Sequence, residues 1–354
     1  MNLSRENRWS VFIGAIGVIF LFAAPQVFEL FTIINLTTVL ALAILALSLA
    51  LVWGYGGILC FGQTTFFGLG AYAYTIAAIN FGGTTGAIFI AIAVAAAFAA
   101  VLGYFIFYGR VSDVYLAVIT LTVTLIFYSL LRRTSGPEYK IGTALLGGFN
   151  GVTAPPLHVP GDPSNILFPE HMFYVAMAAL ILAYLFCVWL TRTHFGRVMV
   201  AIRENELRTE LLGYDVRLYK LALFSIGGGI AGMAGILFAN GIGRVTPDIF
   251  NLYNTALTII WVIVGGRGTL IGPVFGAIAL FYLTSGLGTQ AAVNNNLVLG
   301  IILIVFVLLV PRGIVPGVIG LWDRARARNR LQRREKRMRR RRPRRSDAET
   351  ADGG

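Results

Sequence analysis

Residues 30–109 of the chain read LFTIINLTTVLALAILALSLALVWGYGGILCFGQTTFFGLGAYAYTIAAINFGGTTGAIFIAIAVAAAFAAVLGYFIFYG. This stretch contains no charged residue over the 80 positions between Glu29 and Arg110. Because about 20 apolar residues make one helical crossing of a bilayer, the stretch alone has room for three crossings. A transmembrane barrel would show short alternating segments instead, so the sequence predicts an all-α integral membrane protein.

The rest of the chain has the same character. Hydrophobic residues make up 57% of the sequence and charged residues only 13%, against roughly 25% charged in an ordinary soluble domain. The sequence predicts a polytopic protein with about eight to ten transmembrane helices, some broken or re-entrant in Gly-rich segments. The first span is read as retained rather than as a removed signal peptide. The predicted spans are 10–28, 32–53, 57–80, 86–108, 114–131, 170–191, 218–240, 252–265, 271–288 and 295–311.

Residues 194–220, the island, are the one polar segment between these apolar runs. Apolar residues recur at roughly helical spacing from Val198 through Ile202 and Leu207 to Leu211 and Leu212. Gly213 then closes the pattern as a helix C-cap would. The island is therefore predicted to be a short amphipathic helix, either a solvated connection or a functional element.

Lys and Arg positions predict the orientation, since cytoplasmic loops are rich in these residues. The island and the C-terminal tail are both predicted to be cytoplasmic, and the Pro-rich segment 132–169 becomes an external loop. An odd number of crossings must then follow residue 240, unless 252–288 is a re-entrant pair of half-helices. The break between these two helices falls in the Gly-rich stretch 265–273, which ends in Pro273.

The tail, residues 321–354, follows the predicted membrane domain 1–320. It holds 14 of the 29 Lys and Arg residues and five of the 16 Asp and Glu residues, which gives it a net charge of +9. Such a like-charge run predicts a disordered cytoplasmic segment. Contact with anionic lipid headgroups is the preferred interpretation, and nucleic-acid binding is the alternative.

Several kinds of chemistry are missing from the sequence. No P-loop is present, and the three His residues show no metal-ligand spacing, so neither an ATPase nor a metal site is predicted. Cys60 and Cys187 both lie in predicted spans, which argues against a disulfide framework. Ionisable residues are nearly absent from the spans, with Arg267 at the helix break the clearest candidate, so ion coupling lacks a relay. A pump without either energy source needs a cytoplasmic motor, whereas a stand-alone ion-coupled carrier or channel is the competing class.

Glycine-rich stretches mark where helices approach closely or break. Residues 54–72 contain many glycines, and Gln63 and Thr64 are polar groups there that would bind either a substrate or neighbouring helices. The Gly-x-x-x-Gly pairs Gly228/Gly232 and Gly272/Gly276 predict helix packing.

Four blocks together resemble the membrane permease subunit of branched-chain amino acid ABC importers, within the hydrophobic amino acid and amide uptake family. They are 57–72, 147–153, 195–235 and 265–277, and with the Pro-Arg-Gly at 311–313 they follow the family order over residues 50 to 315. Permeases for urea and short amides carry similar blocks, so urea or amide uptake is the alternative substrate assignment. The resemblance implies a translocating subunit in a bacterial or archaeal cytoplasmic membrane, not an enzyme.

The resemblance also implies partners and site residues. It implies a second homologous permease chain, two cytoplasmic ATPase chains that use ATP and Mg²⁺, and a periplasmic or extracellular substrate-binding protein, with no cofactor bound by this chain. The implied ATPase-coupling residues in the island are Gly196, Arg197, Arg203, Glu204, Asn205, Gly213 and Lys220. The candidate substrate-pathway residues are Gly62, Gln63, Thr64, Phe66, Gly70, Tyr72, Asn150, Gly265, Gly266 and Gly268.

Overall fold

A computed structural model describes residues 29–159, 165–288 and 300, and these ranges are mostly helical. The predicted span 10–28, nearly all of the span 295–311 and the tail lie outside the described residues. The helices are α1 Leu30–Leu49, which continues as a π-helical turn Ala50–Tyr55, α2 Gln63–Phe81, α3 Thr84–Tyr108, α4 Asp113–Arg133, α5 Pro169–Arg192, α6 His194–Glu204, α7 Glu206–Leu211, α8 Val216–Ile242, α9 Leu252–Gly265 and α10 Ile271–Gly288.

Five helices in the described ranges are long and apolar enough to cross a membrane, namely α1 with its π-helical turn, α3, α4, α5 and α8. The predicted all-α polytopic fold is thus confirmed. Helix α9 has 14 residues, about 21 Å, which is shorter than a hydrocarbon core of about 30 Å. Both α9 and α10 begin and end where the sequence predicted spans 252–265 and 271–288.

One predicted span differs from the structure. The span 57–80 was expected to be helical throughout, but α2 begins only at Gln63. Gly57 has a φ of 72° and residues 57–60 have no regular structure, so the seven residues 56–62 separate the π-helical turn from α2. Residues 56–62 are referred to below as the break. The glycine-rich composition had indicated a broken helix here, and the structure contains one.

Helix α1 lies at the centre of the bundle. In its most apolar window 89% of the residues are buried, compared with 22% in α3, which faces outwards. Helix α1 packs against α5, α8, α9 and α10, while α8 also packs against α2 and α3. Phe224 of α8 meets Phe66 of α2 edge-to-face at 5.3 Å between ring centroids.

Small residues bring α2, α3 and α8 close together. Ala95 and Ala99 of α3 lie where a Cβ on Gly232 or Gly228 of α8 would fall, and Gly70 of α2 faces the backbone of Gly232. The predicted packing role of the Gly228/Gly232 pair is therefore confirmed. Gly272 and Gly276 of α10 likewise press against the backbone of α9, which makes α9 and α10 a tight hairpin.

The segment between α4 and α5 folds over one end of the bundle, the loop end. Its short strands are β1 Lys140–Ile141, β2 Ala144–Leu145 and β3 Val152–Thr153, and β3 pairs antiparallel with β4 Arg244–Val245 after α8. Tyr74 of α2 donates a hydrogen bond to the Pro155 carbonyl at 2.9 Å. The Asn240 side chain of α8 accepts one from the Leu157 amide at 2.9 Å.

Helices α6 and α7 lie at the other end, the island end, where α6 contacts the π-helical turn of α1 and α7 contacts α8. Arg217 at the start of α8 lies over the ring of Tyr108 at the end of α3, 6.0 Å from its centroid. Helix α3 therefore begins at the loop end, where Thr84 contacts His158, and ends at the island end. The segments that the sequence predicted on opposite sides of the membrane lie at opposite ends of the bundle.

Candidate functional site

The island forms two helices, whereas the sequence predicted one. Thr193 caps α6 by accepting a hydrogen bond from the Gly196 amide at 3.4 Å. Asn205 then leaves the helical conformation at φ −160° and ψ 101°, and its side chain accepts from the Arg208 amide at 2.8 Å. The side chain of an Asn at a helix N-cap accepts a hydrogen bond from a free backbone amide in the first turn of that helix. The chain therefore begins a new helix at this point instead of continuing the first.

Each half of the island buries its apolar residues differently. Val198 and Ile202 of α6 are 5% and 3% exposed, as the helical spacing predicted. Leu207, Leu211 and Leu212 are 67%, 80% and 71% exposed. After the restart at Asn205, α7 packs against the protein through Thr209, which is 3% exposed, and its apolar residues face outwards.

Arg203 ties α6 to the end of α1. Its guanidinium donates to the Gly54 carbonyl, and its aliphatic carbons fill the space beside Gly57, where any side chain would collide with them. The same guanidinium pairs with Glu204 at 2.6 Å. A hydrogen bond from a charged donor is worth about 1.5–3 kcal/mol, so this contact is a substantial part of the attachment of α6.

The α9–α10 hairpin contacts the same turn of α1 from another side. The Arg267 guanidinium lies over the Trp53 ring at 5.3 Å from its centroid, and the Arg267 carbonyl occupies the space beside Gly54. Residues 53–57 therefore lie between the island and the hairpin turn. A displacement of α6 relative to the bundle would reach the hairpin through these few residues.

The other predicted coupling residues have mainly internal roles. Lys220 pairs with Glu206 at 2.6 Å and so joins α7 to α8. Gly196 packs against the backbone at Leu190 and Thr191, and Gly213 has a φ of 90°. Arg197 is exposed, with one guanidinium nitrogen 3.0 Å from the Arg192 carbonyl.

The predicted set omitted three exposed leucines, two in the second island helix and one directly after it. We call Leu207, Leu211 and Leu212 the leucine surface. Exposed apolar clusters of this kind mark interaction sites in proteins. The sequence signal was present, because the leucines follow a helix cap at Asn205, but their burial depended on the direction in which that cap sends the helix.

The polar pathway candidates at the start of α2 bind neighbouring helices. Gln63 donates to the Ser48 hydroxyl at 2.9 Å and to the Gly227 carbonyl at 3.1 Å. The Thr64 hydroxyl lies 2.9 Å from that of Thr255 in α9. These bonds match the interpretation in which the polar groups join helices. They hold the start of α2, directly after the break, against α1, α8 and α9.

The remaining pathway candidates do not converge on one place. Gly62 packs against Thr120 of α4, and Gly70 and Phe66 belong to the α2–α8 contact. The ring of the buried Tyr72 is tilted against that of Phe250, with 6.0 Å between the centroids. Asn150 is exposed at the loop end, and its carbonyl accepts from Arg244 at 3.4 Å. Gly265, Gly266 and Gly268 form the hairpin turn, of which Gly265 presses against Gly272 and Gly268 is open to solvent.

Ionisable side chains that could hold a metal ion do not cluster in the part of the chain that the structure describes. Cys60 and Cys187 are both buried and unpaired. Within that part, the arrangement offers rigid helix contacts, a break and an exposed apolar helix.

Comparison with known proteins agrees with this architecture. A family model described as "Branched-chain amino acid transport system / permease component" matches residues 31–310. The high-affinity branched-chain amino acid transport system permease protein LivM of Escherichia coli K12 is 28% identical over 299 residues, which cover 77% of this chain and 67% of LivM.

More distant matches extend the comparison. A probable branched-chain amino acid transport permease protein LivM of Methanocaldococcus jannaschii is 28% identical over 38% of this chain and 39% of its own length. The ribose import permease protein RbsC of Escherichia coli K12 is 28% identical over 62% of this chain and 65% of RbsC. No solved structure matches the chain.

The fold and these matches define the class as a multi-pass helical membrane permease. The chain belongs to the family of permease components of branched-chain amino acid transport systems. Members of this family are translocating components of ABC transporters rather than enzymes.

Proposed function

We propose that this chain forms half of the membrane pathway of an ATP-driven importer for branched-chain amino acids. A second, homologous permease chain completes the pathway, and an external binding protein delivers the substrate at the loop end. Two ATPase chains bind at the island end, in the cytoplasm, and use ATP and Mg²⁺. The similarity to the LivM proteins of a bacterium and an archaeon supports this substrate over urea or a short amide.

The leucine surface is the observation that carries the proposal. Two leucines on α7 and Leu212 directly after it project from the end of the bundle, beside the charged Arg208 and Glu210. Burying one leucine in a partner is worth about 1.5–3 kcal/mol, so three provide a strong anchor. The absence of a P-loop from the sequence supports an ATPase as the partner that covers them.

The coupling role follows from what holds α7 in place. Asn205 caps the helix, Lys220 pairs with Glu206, and Arg203 joins the adjoining α6 to the end of α1. A partner that grips the leucine surface and moves would therefore pull on residues 53–57 and, through them, on the α9–α10 hairpin. In this proposal the predicted coupling residues hold α7 against α6 and α8 and so transmit its movement to the bundle.

The test is a charge placed on the leucine surface. Leu211→Asp in the assembled transporter is expected to abolish both copurification of the ATPase chains and ATP-driven leucine uptake, because a carboxylate would be buried at the interface. Insertion into the membrane should not change, since the side chain is 80% exposed. The matched control is Leu145→Asp in β2 at the loop end, where the leucine is 51% exposed and normal uptake is expected.

Two results would contradict the proposal. Full ATPase binding and uptake in Leu211→Asp would remove the leucine surface from coupling. Uptake by this chain reconstituted alone, driven by an ion gradient without ATP, would favour a stand-alone carrier instead. Calorimetry on the cognate binding protein, with leucine and urea as ligands, tests the substrate separately.

A further inference from the structure

The end of α3 and the start of α8 bring two arginines together at the island end. Arg217 is the second residue of α8, and its guanidinium carbon lies 6.0 Å from the ring centroid of Tyr108, the last residue of α3. Arg110 follows Tyr108 by two residues, so their Cα atoms are at most about 7 Å apart. Two positively charged residues therefore lie close to one tyrosine ring.

The backbone of Arg110 has an unusual conformation. Its φ is 53°, the only positive φ of a non-glycine residue in the part of the chain that the structure describes. The residue closes α3, because its own amide donates to the Phe107 carbonyl at 3.3 Å and the Val111 amide donates to that of Ile106 at 3.1 Å. Glycine is the residue that fits this kind of helix ending with the least strain. Arginine here places a positive charge at the end of α3 at a cost in backbone strain, which points to a role for the charge.

Among the described residues, neither Arg110 nor Arg217 forms an ion pair. The acidic residues nearest to them in the sequence lie at helix N-termini. The Asp215 carboxylate accepts from the amides of Arg217 and Leu218 at 3.1 and 3.3 Å, and Asp113 lies in the first turn of α4. The helix dipole stabilises negative charge at such positions and disfavours positive charge. Arg217, in the first turn of α8, therefore has neither a counter-ion nor a favourable dipole.

The flank of α3 beside these arginines has the character of a surface that faces lipid. Only 22% of the most apolar window of α3 is buried, and Val101, Tyr104 and Phe105 are exposed. The Tyr104 ring stacks on that of Tyr108 with 4.7 Å between the centroids. Apolar residues along a helix with tyrosines at its end are typical of the boundary between the hydrocarbon core and the headgroups. The two arginines therefore lie at the depth of the headgroups.

We propose that Arg110 and Arg217 bind the phosphate of an anionic phospholipid. A guanidinium donates two parallel hydrogen bonds to a phosphate, and basic pockets between membrane helices suit such headgroups. The exposed apolar residues of α3 contact the acyl chains. One bound lipid then joins the end of α3 to the start of α8, which begins shortly after the leucine surface. The site goes beyond the proposed function, because it binds a lipid and not the transported substrate, and it is separate from the basic tail.

The first test counts bound lipids. Native mass spectrometry of the assembled transporter, titrated with phosphatidylglycerol in detergent, gives the number of lipids bound. The double variant Arg110→Gly/Arg217→Gln is expected to bind one lipid fewer per copy of this chain, or to need at least a tenfold higher lipid concentration, because hydrogen bonds between charged groups are lost. Arg208→Gln is the matched control, since it removes an exposed arginine at the same end and should bind as the wild type does. All three proteins keep the tail, so its contribution is the same in each.

The second test separates lipid binding from a structural role of Arg110. Glycine adopts a φ of 53° with less strain, so Arg110→Gly is expected to unfold at or above the wild-type midpoint when no lipid is added. Phosphatidylglycerol at about ten times its Kd should raise the wild-type midpoint by about 2–4 °C and that of the variant by less than half as much. A residue that only closed the helix would not change the response to lipid.

Four results would overturn the inference. Equal lipid counts in the wild type and the double variant would remove the site. A lower midpoint of Arg110→Gly without lipid, together with a wild-type response to lipid, would assign the charge to the helix ending. Displacement of phosphatidylglycerol by millimolar inorganic phosphate would indicate a site for soluble phosphate. Loss of the ATPase chains or of the second permease chain from the double variant, with lipid binding unchanged, would indicate a protein contact.

None of these measurements depends on leucine uptake. Failure of the lipid site therefore leaves the proposed function as it stands, and a transporter that does not take up leucine leaves the lipid site as it stands.

Discussion

Single atoms determine how closely the helices of this permease approach. Gly70 of α2 and Gly232 of α8 meet backbone to backbone, and a methyl group on Gly70 would overlap three backbone atoms of Gly232. Backbone cannot rotate away as a side chain can, so the added atom must push the two helices apart. In a close-packed interior such overpacking costs about 1–3 kcal/mol or more.

Gly70→Ala is therefore expected to destabilise the protein by about 3 kcal/mol, the upper part of that range, because the obstruction is backbone. Gly86→Ala in the first turn of α3 is the control: its Cβ would meet nothing within 4 Å, and alanine favours a helix by about 0.5–1 kcal/mol. The thermal unfolding midpoints of the detergent-solubilised proteins measure both changes. Equal midpoints for the two variants would show that the α2–α8 contact is looser than described.

Among the elements, the short helix α6 depends on contacts made outside itself. It has 11 residues, and isolated helices shorter than about 12–15 residues are marginal in water. Its apolar face packs on the bundle through Val198, Met199 and Ile202, and Arg203 joins its end to the Gly54 carbonyl. The end of the helix is the part that adjoins α7 and the leucine surface.

Arg203→Ala is expected to lower the free energy of unfolding by about 1–2 kcal/mol, because it removes a charge-assisted hydrogen bond that is partly exposed to solvent. Leucine uptake should fall as well, with the ATPase chains still bound, since the docking surface is intact while its attachment to α1 is lost. Arg208→Ala, in which the lost side chain is exposed, is the control for stability and should change it by less than about 0.5 kcal/mol. Unfolding midpoints and uptake assays on the same preparations give both readouts, and unchanged stability in Arg203→Ala would contradict the proposed attachment.

At the scale of the whole molecule, the two ends of the bundle differ in what they present. The loop end carries short strands and a segment fixed by Tyr74 and Asn240, whereas the island end carries the leucine surface. The distribution of Lys and Arg predicts that the island end lies in the cytoplasm. The two native cysteines are buried, so an introduced cysteine would be the main site of labelling.

A membrane-impermeant maleimide applied to intact cells is accordingly expected to label Leu145→Cys at the loop end and to leave Leu211→Cys unlabelled. After permeabilisation of cells that produce this chain without the ATPase chains, both should react, because both positions are exposed in this chain. Ser346→Cys in the basic tail is expected to behave as Leu211→Cys does. Labelling of Leu211→Cys in intact cells would reverse the orientation and place the ATPase partners at the wrong end.

The sequence by itself determined the class of fold and most of the helix bounds. The uncharged runs are long enough to cross a bilayer. In the lipid the backbone must satisfy its own hydrogen bonds, so these runs form helices. The bounds of α9 and α10, the packing role of Gly228 and Gly232 and the family assignment followed from such local patterns. Each of these features depends on residues that are close together in the sequence or that lie on one face of one helix.

The tertiary structure decided what local patterns leave open. The leucines of α7 have the spacing of buried residues, yet the cap at Asn205 turns them outwards. Gln63 and Thr64 have groups that suit a substrate, but Ser48, Gly227 and Thr255 come close enough to bind them. The burial of a side chain and its hydrogen-bond partners depend on which distant segments of the chain meet. The spacing of residues within one helix does not show which helices will pack against it.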